Sequence, residues 1–271
     1  VLMLSDDEER TEAALRAMVV KAIGRSDLDI EIITTGRWEL SALIAEKFSS
    51  GRVFLAGDSA HTLPPARGGY GANTGIDDAD NLAWKLAAVT SGVSSPQLLE
   101  TYDAERRPIA WLRHAQIFAR PDYKAVAAPS DAAVPIIDDD AMELGQLYRS
   151  TAVIGAGGDL PPALRPDQWA GQPGTRAPHL WLSHGGRRVS TLDLLHDGWV
   201  LLAEDERWEK AAVDAGDVTG IGLTFIRIGC EVVPSDPGAF RAAFGLGATG
   251  ASLIRPDGYI AWRARDLPAD P

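Results

Sequence analysis

The stretch from Gly51 to Leu86 constrains this chain more than any other. Arg52 to Ala56 is a short apolar run rich in β-formers and reads as a buried strand. Gly57-Asp58 ends it. Pro64-Pro65 forbids regular structure, and Gly68, Gly69 and Gly71 let the backbone take unusual dihedrals and approach a ligand closely. From about Asn73 the pattern is helical, with Ile76, Ala79, Asn81, Leu82, Ala83 and Leu86 at helical spacings. The order is therefore strand, glycine-rich loop, helix N-terminus. Free N–H groups point out of a helix start, and the macrodipole adds positive character there. Asp58 stands at the carboxyl end of the strand, where open α/β sheets place ligand contacts. A carboxylate there suits ribose or ribityl hydroxyls, and the glycines suit a flat ring lying against backbone.

The run Gly51-Arg-Val-Phe-Leu-Ala-Gly-Asp-Ser-Ala-His61, followed by Pro-Pro and Gly-Gly-Tyr-Gly-Ala-Asn-Thr-Gly, resembles the second flavin motif of FAD-dependent aromatic hydroxylases. These are the single-component flavoprotein monooxygenases with the para-hydroxybenzoate hydroxylase fold. The likeness continues through Asp77-Asp-Ala-Asp-Asn-Leu-Ala-Trp-Lys-Leu86 and Thr101-Tyr-Asp-Ala-Glu-Arg-Arg-Pro108. The tail from Gly171 resembles the thioredoxin-like C-terminal domain of the polyketide and phenol hydroxylase branches. The implied fold class is α/β, mixed α+β. Residues 1–120 would be the C-terminal part of an FAD-binding and substrate domain. Residues 121–173 would be a linker with a short helix, and 174–271 a thioredoxin-like domain without Cys-x-x-Cys.

The resemblance also implies roles. Asp58 looks like the carboxylate that binds the ribityl chain of FAD. Pro64-Pro65 looks like the proline segment beside the isoalloxazine ring. From Pro65 to Gly71 there is one residue more than the commonest family spacing, so either proline can be the match. Gly68 and Gly69 belong to the cofactor-binding loop. Gly71, Ala72 and Asn73 look like the helix start that faces the flavin N1–C2=O edge, which becomes anionic on reduction. Trp38 lies in a segment resembling the sheet before the flavin motif, and either lines the substrate pocket or fills the sheet core. The implied activity is hydroxylation of a phenolic or polyketide ring. NAD(P)H as co-substrate reduces FAD, O2 adds at C4a, and the hydroperoxide transfers oxygen to the ring. No residue of the chain reads as a catalytic acid or base.

The same family carries an N-terminal Gly-x-Gly-x-x-Gly unit for the ADP half of FAD. Nothing before Gly51 supplies one, and the chain opens on Val1, so the sequence predicts a C-terminal portion. An N-terminal polypeptide completing the fold, or a homodimer, is the expected partner besides the aromatic substrate and O2. The chain by itself is expected to bind FAD weakly or not at all. The alternative is a stand-alone, non-catalytic flavin-binding or assembly module. A net charge of −12 argues against nucleic acid or an anionic membrane surface as partner. No apolar run reaches the length of a membrane span, and no signal peptide opens the chain. The single cysteine, Cys230, excludes an internal disulfide framework and fits a reducing cytoplasm. It reads as a small buried residue near a strand end.

Elsewhere, Asp6 to Ile23 reads as a helix capped by Ser5 and stopped at Gly24, with Leu15, Met18, Val19 and Ala22 on its apolar face. Ile30 to Thr34 reads as a strand running on through Trp38 and Leu40. Pro96 to Ala119 is a second long helix that Pro108 should kink or divide. Its Glu105-Arg106-Arg107 cluster reads as a salt-bridged surface. The Asp138-Asp139-Asp140 run reads as a helix N-terminus rather than a metal site, with Ala141 to Tyr148 helical. From Ala177 the elements alternate. Strands are expected at 179–182, 199–203 and 224–228, and helices at 191–195, 206–214 and 237–244. A hairpin is expected over 251–263 about Pro256-Asp257-Gly258.

Three patterns mimic other chemistry. Gly245-Leu-Gly-Ala-Thr-Gly250 has the letters of a dinucleotide fingerprint, but a helix precedes it and a strand follows, the reverse of what the mechanism needs. Gly57-Asp58-Ser59 with His61 has hydrolase letters, but such near neighbours cannot converge as a triad, and His61 is read as holding the loop. His114, His179, His184 and His196 show no metal-ligand spacing.

Overall fold

The computed structural model describes residues 10–36, 41–65, 69–124, 134–195 and 197–268. Ser5, Trp38, Gly68 and His196 lie outside them. The chain divides into two compact units, 1–40 and 41–271.

In the first unit, α1 (Glu12–Ile23) starts at Thr11, whose hydroxyl accepts from the Ala14 amide at 3.3 Å. It ends at Gly24, which takes φ 74° and returns its N–H to Val20. The expected strand at 30–34 is not formed among the described residues: 29–36 carry no regular secondary structure. Alternation alone does not make a strand without a partner ladder among the described residues.

The second unit begins with short strands β1 (Leu43–Ile44), β2 (Ser49–Ser50), β3 (Val53–Phe54) and β4 (His61–Thr62). β1 pairs antiparallel with β4, and β2 with β3 across a tight turn in which Gly51 takes φ 59°. The expected strand 52–56 is thus shorter, and it is not buried, since Val53 is 64% exposed. Only its inner side is covered: Phe54 and Leu55 pack with Phe48, Ala60, Leu82 and Tyr102.

Helix α2 (Tyr70–Thr90) lies against α3 (Glu100–Ala119), which follows a 3-10 turn at Pro96–Leu99. Pro108 does not divide α3. The carbonyl its ring deprives of a donor belongs to Ala104, which is exposed, so water can serve it. Next come a helical turn α4 (Pro121–Lys124), α5 (Asp139–Leu144) and a turn α6 (Pro166–Trp169). Asp138 caps α5 by accepting from Asp140 at 2.9 Å, as the acidic run suggested, but Gly145 ends the helix before Tyr148. This region is no loose connection, because Met142, Leu147, Tyr148, Val153 and Trp169 are buried.

The remaining elements are β5 (Trp181–His184), β6 (Arg187–Ser190), β7 (Trp199–Ala203), α7 (Arg207–Thr219), β8 (Leu223–Arg227), β9 (Val232–Pro234), α8 (Ala239–Phe244), β10 (Ala251–Ile254) and β11 (Ile260–Ala264). A four-stranded sheet has the order β11-β10-β7-β8, with β7 and β8 parallel and the other pairs antiparallel. β7 is apolar throughout because both faces are covered. Val200 and Leu202 join the core of Leu182, Phe240, Phe244 and Ile254, while Leu201 and Ala203 join Trp208 and Ala212 of α7. A three-stranded antiparallel sheet, β6-β5-β9, flanks it. Cys230 is exposed, contrary to the buried reading, because it sits in the turn between β8 and β9.

Candidate cofactor-facing site

After β3 the chain stays extended through Ala56 and enters a 3-10 turn, Gly57–Ser59. Gly57 takes φ 57°, which favours glycine. Its backbone lies against the first turns of α2: a Cβ on Gly75 would stand 3.1 Å from the Gly57 Cα. The two glycines therefore let strand end and helix start touch. α2 starts earlier than Asn73, at Tyr70, because Gly69 takes φ 62° and turns the chain into the helix. Gly69 has no side chain to cap with, so the first amides of α2 receive no side-chain cap among the described residues.

Around this junction the predicted site residues separate by exposure. Asp58 is exposed and makes no hydrogen bond or ion pair among the described residues. Pro64 is buried, whereas Pro65 is exposed and its carbonyl accepts from the Tyr123 hydroxyl. Gly71 and Asn73 are half-buried, and Ala72 is exposed. Gly71 packs near the Leu63 carbonyl, and Asn73 hydrogen-bonds the Glu143 carboxyl. Burial pushes that carboxyl above the usual range, against the pull of Arg113.

Of the residues whose spacing marks α2 as a helix, Asn81 and Leu82 are buried. Ile76 is 66% exposed, and Ala79 and Ala83 also face outward. The inward residues are Thr74, Asp78, Asn81, Leu82 and Lys85, again at helical spacing but mostly polar. Opposite them α3 presents Glu105, Arg106 and Arg113, so the cluster read as surface is buried, and only Arg107 sits outward, paired with Asp103.

Two sets of ion pairs fill the interface. In the first, Arg106 donates to Asp78 Oδ1 at 2.7 Å, to the Tyr148 hydroxyl at 2.6 Å and to the Thr74 carbonyl at 3.1 Å. Asp78 Oδ2 accepts the Gly57 amide at 3.1 Å and lies 2.7 Å from His61 Nε2. Burial alone would raise the Asp78 carboxyl, but His61 and Arg106 together hold it below the usual range. His61 thus holds the loop, as expected. In the second, Glu105 accepts both arms of Arg255 at 2.7 and 2.9 Å, Lys85 at 2.8 Å, Asn81 at 2.7 Å and the Ser150 hydroxyl at 2.6 Å. Arg255 also pairs with Asp257, which accepts from Trp84 Nε1 at 3.0 Å. Burial pushes Glu105 up, and Arg255 and Lys85 more than reverse this, leaving it well below the usual range. Lys85 moves the other way from a paired lysine, down to about 8, because desolvation and nearby Arg255 outweigh Glu105. The pair is unequal because Glu105 is shared by two cations.

Sequence reasoning missed Asp78, Arg106, Tyr148 and Arg255. The spacing of Thr74, Asp78, Asn81 and Lys85 was the available signal for a polar buried face. The fingerprint mimic is explained: added Cβ atoms on Gly245, Gly247 and Gly250 would lie 2.4 Å or less from other atoms of the chain, so these glycines serve packing. No metal-binding cluster occurs among the described residues.

A mixed α/β chain that seats a glycine turn on an uncapped helix start has the architecture of a nucleotide-cofactor protein. The sequence matches the profile of the FAD binding domain over residues 4–116 and of the aromatic-ring hydroxylase C-terminal domain over 170–271. The chain belongs to the FAD-dependent aromatic hydroxylase family. It is 43% identical over 264 residues to 4-methyl-5-nitrocatechol 5-monooxygenase of a Burkholderia species, covering 94% of this chain and 48% of that protein. It is 44% identical over 258 residues to tetracenomycin B2 monooxygenase-dioxygenase of Streptomyces olivaceus, covering 94% and 47%. The crystal structure of aklavinone-11 hydroxylase with FAD and aklavinone superposes with a TM-score of 0.86 at 36% identity, covering 98% of this chain and 50% of that one. The chain spans about half the length of the curated relatives it matches. No described helix is long and apolar enough to cross a membrane.

Proposed function

We propose that the protein acts in FAD- and NAD(P)H-dependent hydroxylation of an aromatic ring, of the phenol or polyketide class. The observation that carries this reading is Asp58, exposed and unpaired among the described residues, on a glycine turn pressed against a start of α2 that no described side chain caps. These residues fit a flavin. Asp58 would accept from ribityl hydroxyls, and Gly69, Gly71, Ala72 and Asn73 would bring amides and macrodipole to the ring edge that gains charge on reduction. Pro64 or Pro65 would border the ring. Bound there, the flavin supplies the redox chemistry: aromatic C–H, O2, NAD(P)H and a proton give phenol, NAD(P)+ and water. The chain's own residues bind, orient and exclude water.

The same proposal takes 1–120 as the cofactor and substrate part, 121–173 as the connection and 174–271 as a thioredoxin-like domain. The order β11-β10-β7-β8, with only β7 and β8 parallel, supports the last assignment. An N-terminal polypeptide or a second copy completing the cofactor fold, dioxygen as co-substrate and a cytoplasmic setting belong to it too.

The test is a flavin-fluorescence titration of the chain with FAD, run to high flavin concentration and repeated with Asp58→Ala. Losing a hydrogen bond to a charged group should weaken binding by roughly tenfold. Affinity indifferent to Asp58 would overturn the site. For the reaction, the protein from its natural source is given NAD(P)H, 18O-labelled O2 and a phenol. Labelled product is expected, and NAD(P)H consumption without incorporation would count against hydroxylation.

A further inference from the structure

We infer that Asp78 is a positioning residue for the cofactor-facing turn, and that the C-terminal sheet reaches that turn through it. The inference rests on the cofactor reading of the Gly57–Asp58 turn. Asp58 makes no hydrogen bond or ion pair of its own among the described residues, so its place depends on the backbone beside it. That backbone is tied from below: the Gly57 amide donates to Asp78 Oδ2 at 3.1 Å, and His61, just past the turn, shares the same oxygen at 2.7 Å. The other oxygen of Asp78 is held by Arg106 at 2.7 Å, and Arg106 also donates to the Tyr148 hydroxyl at 2.6 Å. Tyr148 stacks on Tyr259, ring centroids 4.0 Å apart and nearly parallel, and Tyr259 directly precedes β11 of the four-stranded sheet. Asp78, Arg106 and Tyr148 are each 1% exposed or less.

A carboxylate in water would lend Gly57 little, since water would replace it. At zero exposure, with two hydrogen-bonded partners fixing its rotamer, Asp78 has no competing solvent and one orientation. The C-terminal sheet therefore does more than pack: it orients Arg106 through Tyr148, and Arg106 orients Asp78. One detail is open to spectroscopy. His61 Nδ1 is buried without a partner among the described residues, so the tautomer of this ring is set from the Nε2 side by Asp78.

The test uses the 271-residue chain and needs no flavin, so it decides the coupling whether or not the chain binds FAD. Amide hydrogen exchange is followed at residues 57–60, with β7 as internal reference, together with the 15N shifts of the His61 ring. Asp78→Asn leaves only one acceptor oxygen, and exchange at Gly57 should rise by roughly tenfold, the effect of losing a hydrogen bond to a charged group, with altered His61 shifts and unchanged β7. Tyr148→Phe keeps the stacked ring and removes only the hydroxyl. It guards against an Asp78 variant that does not fold, and it should raise exchange at 57–60 in the same direction by a smaller factor. Unchanged exchange at 57–60 in a folded Asp78→Asn chain overturns the positioning role. Unchanged exchange in Tyr148→Phe overturns the reach to the sheet.

Discussion

Lys85 shows what a single residue reports about this interface. Its ammonium is fully buried and its pKa falls to about 8, against 10.5 when unfolded, because burial penalises the charge. Below pH 8 native and unfolded chains both carry the proton, and the full cost of the buried charge is present. Between pH 8 and 10.5 the unfolded chain holds more protons, so stability rises with pH. The tyrosines act in the opposite sense above about pH 10, where Tyr102, Tyr148 and Tyr259 resist ionising in the fold. Denaturant titrations should therefore show stability climbing by on the order of 2 kcal/mol from pH 8 to 10, then falling. Lys85→Met should flatten the climb, and a flat profile in the unsubstituted chain would refute the assignment. Nothing in the letter Lys at position 85 announces this. Asp58 and the glycines were legible because their chemistry is local to one turn. Lys85, Asp78 and Arg106 were not, because their partners lie on other elements: Glu105 of α3 for Lys85, Arg106 of α3 for Asp78, and Tyr148, 42 residues on, for Arg106.

At the level of elements, the seat of α2 on the Gly57 turn is a matter of a few tenths of an ångström. Alanine at Gly75 would gain helix propensity yet stand 3.1 Å from the Gly57 Cα. Valine adds two methyls to that contact and loses the compensation. Gly75→Val should destabilise the second unit by about 1–3 kcal/mol, read from the urea midpoint, and displace the 57–60 turn. An unchanged midpoint would show that the two backbones are not in contact. Elements that bury apolar faces were readable in advance: β7 lies where its apolar run said, and the hairpin about Pro256-Asp257-Gly258 forms with Gly258 at φ 75°. The β5–β6 hairpin was missed because charged Arg187 and Arg188 hide its alternation. α2 was found, but the face it buries was not legible, since apolar periodicity cannot signal a helix that buries polar groups against other polar groups.

For the second unit as a whole, Glu105 and Arg255 decide whether it melts in one piece. Glu105 belongs to α3 and Arg255 to the turn between β10 and β11, and their two-armed pair sits at zero side-chain exposure. Such a pair adds little net stability over apolar packing, but removing one partner strands the other. Arg255→Met leaves Glu105 with Lys85, Asn81 and Ser150, and leaves Asp257 without its guanidinium. The expected loss is about 3–5 kcal/mol, or a melting temperature lower by roughly 6–15 °C. Calorimetry of the unsubstituted chain should show α2, α3 and the sheet melting together, and of Arg255→Met a separated second transition. The acid limb follows from the same groups. Glu105 and Asp78 have folded pKa values below their unfolded ones. Their contribution is complete above the unfolded carboxylate range near pH 4 and is lost as pH falls through the depressed values. Cooperative melting should thus persist to about pH 4 and decline steeply below it, while Arg255→Met, with Glu105 less depressed, should lose less stability over the acid limb and complete that loss at higher pH. Coincident acid profiles for the two chains would mean that this ion pair does not join the helices to the sheet.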